Sequence, residues 1–308
     1  MSTTLPPLVF RCDAGFALGT GHVMRCLALA QGWQDIGGEV VFVMRELPAA
    51  LWERLRAEGI QVVQFGGDGD EQDVMATAAI IRECRPGWVV ADGYHLTHEW
   101  QRSVRAAGCR LLAFDDHGQI GRHCADLVVD QNLGTSTDLY ADCSADTRLL
   151  LGPRYVLLRR EFRRWQERRG KFSPVARRIL VTLGGADSRN ATAKVLRALD
   201  WIRRQELETV ALVGPANPHR AELETLIRQS RAIIDLRQSV QDVPEWMAWA
   251  DVAIAAGGTT TWELLFMGVP SLLLILADNQ ASVARSARAA GFARCLGRAE
   301  DVGEGELA

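Results

Sequence analysis

The sequence predicts an α/β protein made of two doubly wound, Rossmann-like domains that face each other across a cleft. Three observations predict the two domains. Short apolar runs alternate with helix-length segments along nearly the whole chain. The alternation breaks once, near the middle, and then resumes. The length of 308 residues exceeds one typical α/β domain and suits two.

In the first half, strands are expected at 8–12, 40–44, 60–65, 88–91, 110–114 and 126–129. Helices fill the gaps. The first follows Gly21, carries apolar Val23, Leu27 and Ala30 on one face, and stops at Gly37-Gly38. The second starts near Pro48, a residue favoured at helix starts, and ends at Gly59. The third ends before Pro86, and the fourth runs from about 97 to 108. The stretch 134–146 is rich in Thr, Ser and Asp and lacks a period. Residues 149–158 and an Arg-rich segment read as a connection. The second series has expected strands at 179–183, 209–213, 232–235, 252–255, 271–275 and 293–296. The resulting domains are 1–150 and 176–308, joined by 151–175. In such sheets ligands sit beyond the carboxyl ends of strands.

Composition narrows the class. The net charge of −3 carries no polybasic strip, so neither nucleic acid nor an anionic membrane is an expected partner. Arg159, Arg160, Arg163, Arg164, Arg168 and Arg169 cluster, with the spacing of a solvated helix. Seven cysteines without a C-x-x-C pair read as reduced thiols, which suits the cytoplasm. Residues 1–7 lack the pattern of a signal peptide, and no apolar run approaches the roughly 20 residues that span a bilayer. The chain is expected to work as a monomer.

The strongest local signal runs from Arg11 to Arg25, joining the first strand to the first helix. Gly19 and Gly21 permit a tight turn and close approach of a ligand. The helix start favours an anion and disfavours an imidazolium at His22. A neutral His22 can take a proton from water. Arg25 lies one turn on, on the same face. Asp13, at the strand end, either orients that imidazole or meets a sugar hydroxyl. The plainer alternative is a glycine turn in which His22 only caps the helix. The pattern is neither the dinucleotide glycine fingerprint nor a P-loop.

A second signal is Gly257-Gly258-Thr259-Thr260-Thr261-Trp262-Glu263. Backbone N–H groups of Gly258 and Thr259 and the hydroxyls of Thr259 and Thr260 suit a diphosphate. Glu263 suits the two hydroxyls of a ribose. The alternative is a capping box between Thr260 and Glu263. Asn279 and Gln280 stand at the next strand end. The turn Gly184-Gly185-Ala186-Asp187 is open to two readings, a phosphate contact at Gly185 or a plain turn with a helix cap. Asp92-Gly93-Tyr94-His95, Asp115-Asp116-His117 and Asp130-Gln131-Asn132 suit sugar recognition. Asp92, His95, Asp115, Asp116, His117 and His123 are also possible metal ligands, but no tight ligand spacing supports a metal.

These motifs, taken in order, resemble the UDP-2,4-diacetamido-2,4,6-trideoxy-β-L-altropyranose hydrolases of pseudaminic acid biosynthesis. The resemblance rests on Arg11 with Asp13, Gly19 to Arg25, Asp92 to Tyr94, Asp115-Asp116, Asp130 to Asn132, Leu151 to Tyr155, Gly184 to Asp187, Gly257 to Glu263, and Asn279-Gln280. It implies a glycosyltransferase-B-like fold and release of the free sugar and UDP. It also implies His22 as general base, UDP held through Thr259–Glu263 and Asn279, and no cofactor or metal. Parts of the second half also resemble UDP-N-acetylglucosamine transferases of the murein-lipid type. That keeps sugar transfer as the alternative. Ala14 and Gly15 depart from the small hydroxyl residues that the hydrolase pattern leads one to expect.

Overall fold

The computed structural model of the protein describes residues 5–15, 18–67, 69–166, 175–202, 207–214 and 217–308. The chain divides into two compact units, Met1–Arg160 and Glu161–Ala308. Each holds one parallel sheet covered by helices, so the doubly wound α/β class is observed in both.

The first unit runs β1 (Leu8–Cys12), α1 (Gly21–Asp35), β2 (Val40–Met44), α2 (Ala49–Ala57), β3 (Gln61–Gln64), α3 (Asp70–Cys84), β4 (Trp88–Asp92), α4 (His98–Arg105), β5 (Arg110–Phe114), β6 (Leu127–Asp130) and β7 (Arg148–Leu151). The strand order is β3-β2-β1-β4-β5-β6-β7. Alternate residues of β1 and β2 serve opposite faces of the sheet. Phe10, Cys12, Phe42 and Met44 pack with Val23 and Leu27 of α1, while Val9, Val41 and Val43 pack with Ile80 and Trp100. Each fully buried large side chain contributes about 1.5–3 kcal/mol.

The strand β7 corrects one expectation. Residues 148–151 were expected within or at the edge of a connection, yet they pair with β6 in parallel. Leu149 to Leu151, closed by Gly152-Pro153, is the short continuous apolar run of a parallel strand, and its pairing with β6 places it in the sheet rather than in the connection. The Arg-rich segment also differs. It forms a short 3₁₀ helix at Arg160–Trp165 rather than a solvated α-helix. Arg160 pairs with Asp35 at 2.8 Å, and Arg164 pairs with Asp242. Arg168 and Arg169 lie outside the described residues. The unit boundary falls inside the stretch 151–175 expected to connect the domains.

The second unit runs β8 (Arg178–Thr182), α5 (Ala191–Leu199), β9 (Glu208–Val213), α6 (Arg220–Gln229), β10 (Ile233–Gln238), α7 (Val243–Trp249), β11 (Val252–Ala256), α8 (Thr260–Met267), β12 (Ser271–Ile275), α9 (Ala281–Ala289), β13 (Ala293–Arg298) and α10 (Glu304–Leu307). Its order is β10-β9-β8-β11-β12-β13.

Both sheets have a point where chain connections diverge. In the first unit β1 leads toward β2 on one side, and β4 leads toward β5 on the other. In the second unit β8 and β11 play the same parts. Loops that leave in opposite directions open a crevice at the carboxyl ends of those strands, and ligands favour it.

Candidate functional site

His22 and Asp92 meet at the β1–β4 divergence. His22 lies in the first turn of α1, and Asp92 is the last residue of β4. The imidazole Nδ1 is 2.6 Å from Asp92 Oδ1. Asp92 is ionised, so it only accepts, and the proton of that bond sits on Nδ1. Nε2 then presents its lone pair, and it makes no hydrogen bond to a described residue. The side chain is 11% exposed, which leaves the ring a narrow opening. Tyr94 sets its ring edge-on to His22, with centroids 5.2 Å apart.

Arg25 locks this arrangement from below. Its Nε and Nη2 donate to Asp92 Oδ2 and Oδ1 at 2.9 and 2.8 Å. Its Nη1 and Nη2 donate to Asp116 Oδ1 and Oδ2 at 2.9 and 3.3 Å. Asp116 also accepts from the Tyr94 hydroxyl at 3.0 Å and from Asn132 Nδ2 at 2.7 Å. One buried guanidinium therefore bridges two carboxylates.

The charges follow from this geometry. Burial pushes both carboxyls up, but the Arg25 charge outweighs it. Asp92 is held below its ordinary value, and Asp116 well below the usual carboxylate range. Burial pushes His22 down, yet the charge and hydrogen bond of Asp92, aided by Asp116 and opposed by Arg25, leave it raised above 6.5. This corrects the expectation of an imidazole kept neutral by the helix start. A full charge in contact outweighs the fractional charge of a helix end.

Arg11 and Asp13 belong to a neighbouring network. The Arg11 side chain is 0% exposed. Its Nε donates to Asp73 Oδ1 at 2.9 Å, and its Nη2 pairs with Asp73 and with Asp13. Trp100 Nε1 and Arg45 Nη2 also reach Asp73, each at 2.8 Å. Asp13 Oδ1 accepts from the backbone of Arg45 at 2.6 Å and Glu46 at 3.1 Å. These contacts correct two expectations. Arg11 has no surface with which to touch a substrate, and Asp13 braces the loop after β2 rather than orienting His22. Asp92 does that instead.

The glycine turn before His22 is tight. Gly15 and Gly19 exchange backbone hydrogen bonds of 3.3 and 2.8 Å, and Gly19 has φ of +72°. Phe16 and Ala17 lie outside the described residues. A Cβ on Gly15 would lie 2.2 Å from Glu46 Oε2, so a side chain there would need only the glutamate carboxylate to move. Gly21 opens α1.

In the second unit, the β8 and β11 turns behave differently. After β8, Asp187 accepts from the backbone of Ala191 and Thr192 at 2.8 and 2.9 Å, and Asn190 accepts from Ala193. The start of α5 is thus already capped. Gly185 is packed tightly, since a Cβ on Gly214 would lie 2.0 Å from its carbonyl oxygen. After β11, the helix cap of α8 is Thr259, whose side chain makes no cap hydrogen bond. The backbone N–H groups of Gly258, Thr259 and Thr260 make no hydrogen bond to a described residue. Three donors in sequence at a helix start are the arrangement that suits an anion. The capping box fails by register, because the third helical residue is Trp262, not Glu263. Gln280 Oε1 accepts from Leu276 N at 3.0 Å, and its Nε2 stands 3.9 Å from where a Gly258 Cβ would be. Asn279 and Gln280 form the 3₁₀ turn beside that loop, and Glu263 is half-buried in the first turn of α8.

The structure thus gathers His22, Arg25, Asp92 and Tyr94 in one unit, and Gly258, Thr259, Thr260 and Gln280 in the other. Asp116 and Asn132, read from the sequence as sugar-recognition candidates, instead brace Arg25, Asn132 through Asp116, and Asp73, which the sequence did not single out, anchors Arg11 in the neighbouring network. The signal for Asp116 and Asn132 was their place at strand ends. Asp115 turns inward instead, accepting from His123 at 2.9 Å. Among the described residues, no group of three or more His, Cys, Asp or Glu side chains is placed to hold a metal ion. No helix of the described residues is long and apolar enough to cross a membrane.

Comparison with known proteins fits this picture at the level of fold. Residues 178–301 match the glycosyltransferase family 28 C-terminal domain. The chain is 26% identical over 269 residues to the uncharacterised protein MJ1062 of Methanocaldococcus jannaschii, covering 85% of this chain and 54% of that one. It therefore spans about half the length of that relative. It is 26% identical over 301 residues to the spore coat polysaccharide biosynthesis protein SpsG of Bacillus subtilis, covering 96% and 83%. It is 20% identical over 286 residues to the UDP-2,4-diacetamido-2,4,6-trideoxy-β-L-altropyranose hydrolase of Campylobacter jejuni, covering 90% and 94%. Among solved structures, MurG of Acinetobacter baumannii superposes with a TM-score of 0.65 at 14% identity, covering 98% of this chain and 88% of that one. MnaA of Staphylococcus aureus, solved with UDP, gives 0.65 at 12% identity, covering 99% and 86%. The two parallel-sheet units have the fold of the glycosyltransferase-B structures.

Proposed function

We propose that the chain hydrolyses a UDP-linked diacetamido-trideoxy sugar to free sugar and UDP. The observation that carries this reading is the His22–Asp92 pair at the β1–β4 divergence, with Nε2 free of hydrogen bonds to the described residues. His22 Nε2 takes a proton as a water oxygen bonds to the anomeric carbon. The bond from that carbon to the diphosphate oxygen breaks, and UDP leaves with the electron pair. Attack opposite the leaving group inverts the anomeric centre. A positioned base of this kind supplies about 10²–10⁴-fold. Asp92 is a positioning residue that fixes the tautomer. The backbone of Gly258 to Thr260 takes the diphosphate, Glu263 the ribose, and Asn279 and Gln280 neighbouring polar groups. The reaction uses no metal or cofactor. The hydrolase from Campylobacter jejuni, similar along nearly its whole length, supports this choice of substrate. We place the activity in the cytoplasm and in a single chain.

A second reading is transfer of the sugar to an alcohol, which the family 28 match favours. Incubation with UDP-sugars in ¹⁸O-water separates the two. Label in the released sugar, without an added acceptor, is the expected result. Label in phosphate would refute the role of His22, and release only with an acceptor would favour transfer.

The raised His22 gives a pH prediction. A base must be unprotonated, so activity falls as pH drops through the folded-state value. The acid limb of kcat/KM is expected above pH 6.5, the ordinary imidazole value. Asp92→Asn removes the charge that raises it and offers an N–H toward Nδ1, which favours the wrong tautomer. That variant is expected to lose most of kcat and to carry its limb to lower pH. An unmoved limb in pH–rate profiles would detach His22 from catalysis.

A further inference from the structure

We infer that His95 is a substrate-contacting residue, with Nδ1–H held ready to donate to an acceptor oxygen on the glycosyl group. The inference rests on the reading that the first unit receives the sugar of a UDP-sugar. His95 follows Tyr94 in the β4–α4 connection, at the same strand ends as His22. Its Nε2 lies 3.3 Å from Arg11 Nη2. A guanidinium has donors and no acceptor, so Nε2 must present its lone pair. The proton of the neutral ring is then on Nδ1. Asp13 and Asp73 stand 3.6 and 3.8 Å from Nε2, beyond hydrogen-bond reach. Burial and then the Arg11 charge lower the proton affinity of His95 against the pull of those carboxylates, so the ring is neutral at pH 7.

The ring is also held in place. Arg11 is fully buried and fixed by Asp73, so its N–H direction is set. Beneath the ring, a Cβ on Gly93 would lie 2.8 Å from His95 Cε1, so glycine is what lets the imidazole fold back here. Nδ1 makes no hydrogen bond to a described residue, and the side chain is 35% exposed. A buried ion network thus orients one uncharged donor, free of described partners, at the strand ends that also carry the proposed base. An amide carbonyl of an N-acyl sugar or a ring hydroxyl supplies the matching acceptor.

Nitrogen-15 spectra of the histidine rings in the full chain test this directly, with the His95 signals identified by their loss in His95→Asn. The expected state is the Nδ1–H tautomer, and its Nδ1 signal moves with saturating UDP-N-acetylglucosamine but not with UDP. An Nε2–H tautomer would overturn the inference, as would a signal that neither ligand moves or that UDP moves equally. In binding titrations His95→Ala is expected to weaken UDP-N-acetylglucosamine about tenfold and leave UDP unchanged. His95→Asn puts an amide N–H near the Nδ1 position and is expected to stay within about threefold of wild type. Equal losses in both variants would mean that the ring only packs. A loss for UDP-N-acetylglucosamine but not UDP-glucose assigns the carbonyl, and equal losses assign a hydroxyl. These readouts need no turnover. Absence of hydrolysis in ¹⁸O-water would therefore sink the proposed reaction without touching His95.

Discussion

His22→Ala is expected to lower turnover by about 10²–10⁴-fold and to leave UDP affinity within about twofold of wild type. The rate loss corresponds to about 3–5 kcal/mol of transition-state stabilisation. UDP affinity is spared because the nucleotide is assigned to the second unit, at the backbone donors of Gly258 to Thr260, which bond to no described residue. The fold is spared because Asp92 keeps two bonds from Arg25 and a weaker one from Cys26. Single-turnover kinetics and calorimetric titration with UDP check both halves. Wild-type turnover in the variant would remove His22 as the base. A parallel fall in UDP binding would break the division of labour between the units.

The parts of this site differ in how far the sequence reveals them. His22 and Arg25 sit three residues apart on one helix, so their shared face follows from helical geometry alone. The partner that matters, Asp92, is 70 residues away in the chain. Its contact depends on β1 lying beside β4, an adjacency that consecutive order does not give because β2 and β3 intervene. Neighbouring acidic residues show the same limit. Asp115 and Asp116 look alike in the sequence, but adjacent residues at a strand end point opposite ways. Asp115 goes inward to His123, while Asp116 goes to Arg25. Arg11 and Asp13 read as a polar strand end facing a ligand. Arg11 in fact pairs with Asp73 of α3 and Asp13 with the backbone of Arg45 and Glu46, and nothing local in the strand announces either. The α/β alternation itself is legible because buried parallel strands need continuous apolar runs, as at β2 and β12. Strand β7 has such a run too, but only three leucines long and half-buried at the sheet edge, which makes it easy to read as part of the connection.

Arg25→Met is expected to destabilise the first unit by about 3–5 kcal/mol at pH 7. Methionine fills much of the volume, so the effect reports charge rather than a cavity. Removing the guanidinium strands two buried carboxylates near each other. Asp92 keeps His22 and Cys26, and Asp116 keeps Tyr94 and Asn132, but no described cation within contact remains beyond His22. Arg25→Lys is expected to recover only part of the loss, because an ammonium cannot reproduce the forked pairing. The sign with pH is opposite in the two proteins. In wild type, Asp92 and Asp116 are depressed, so their stabilisation is present above the ordinary carboxylate range and is lost as pH falls through the folded values. In Arg25→Met, burial and mutual repulsion raise them, so the folded state gains protons, and the variant regains stability as pH falls. The two stability curves therefore converge in acid. Urea unfolding followed in the first unit at pH 7 and pH 5 measures this, with a midpoint shift of about 1–3 M expected at pH 7. Equal midpoints at pH 7 would mean that the two carboxylates do not depend on Arg25 for their charge, and the electrostatic account of the His22 site would fall with them.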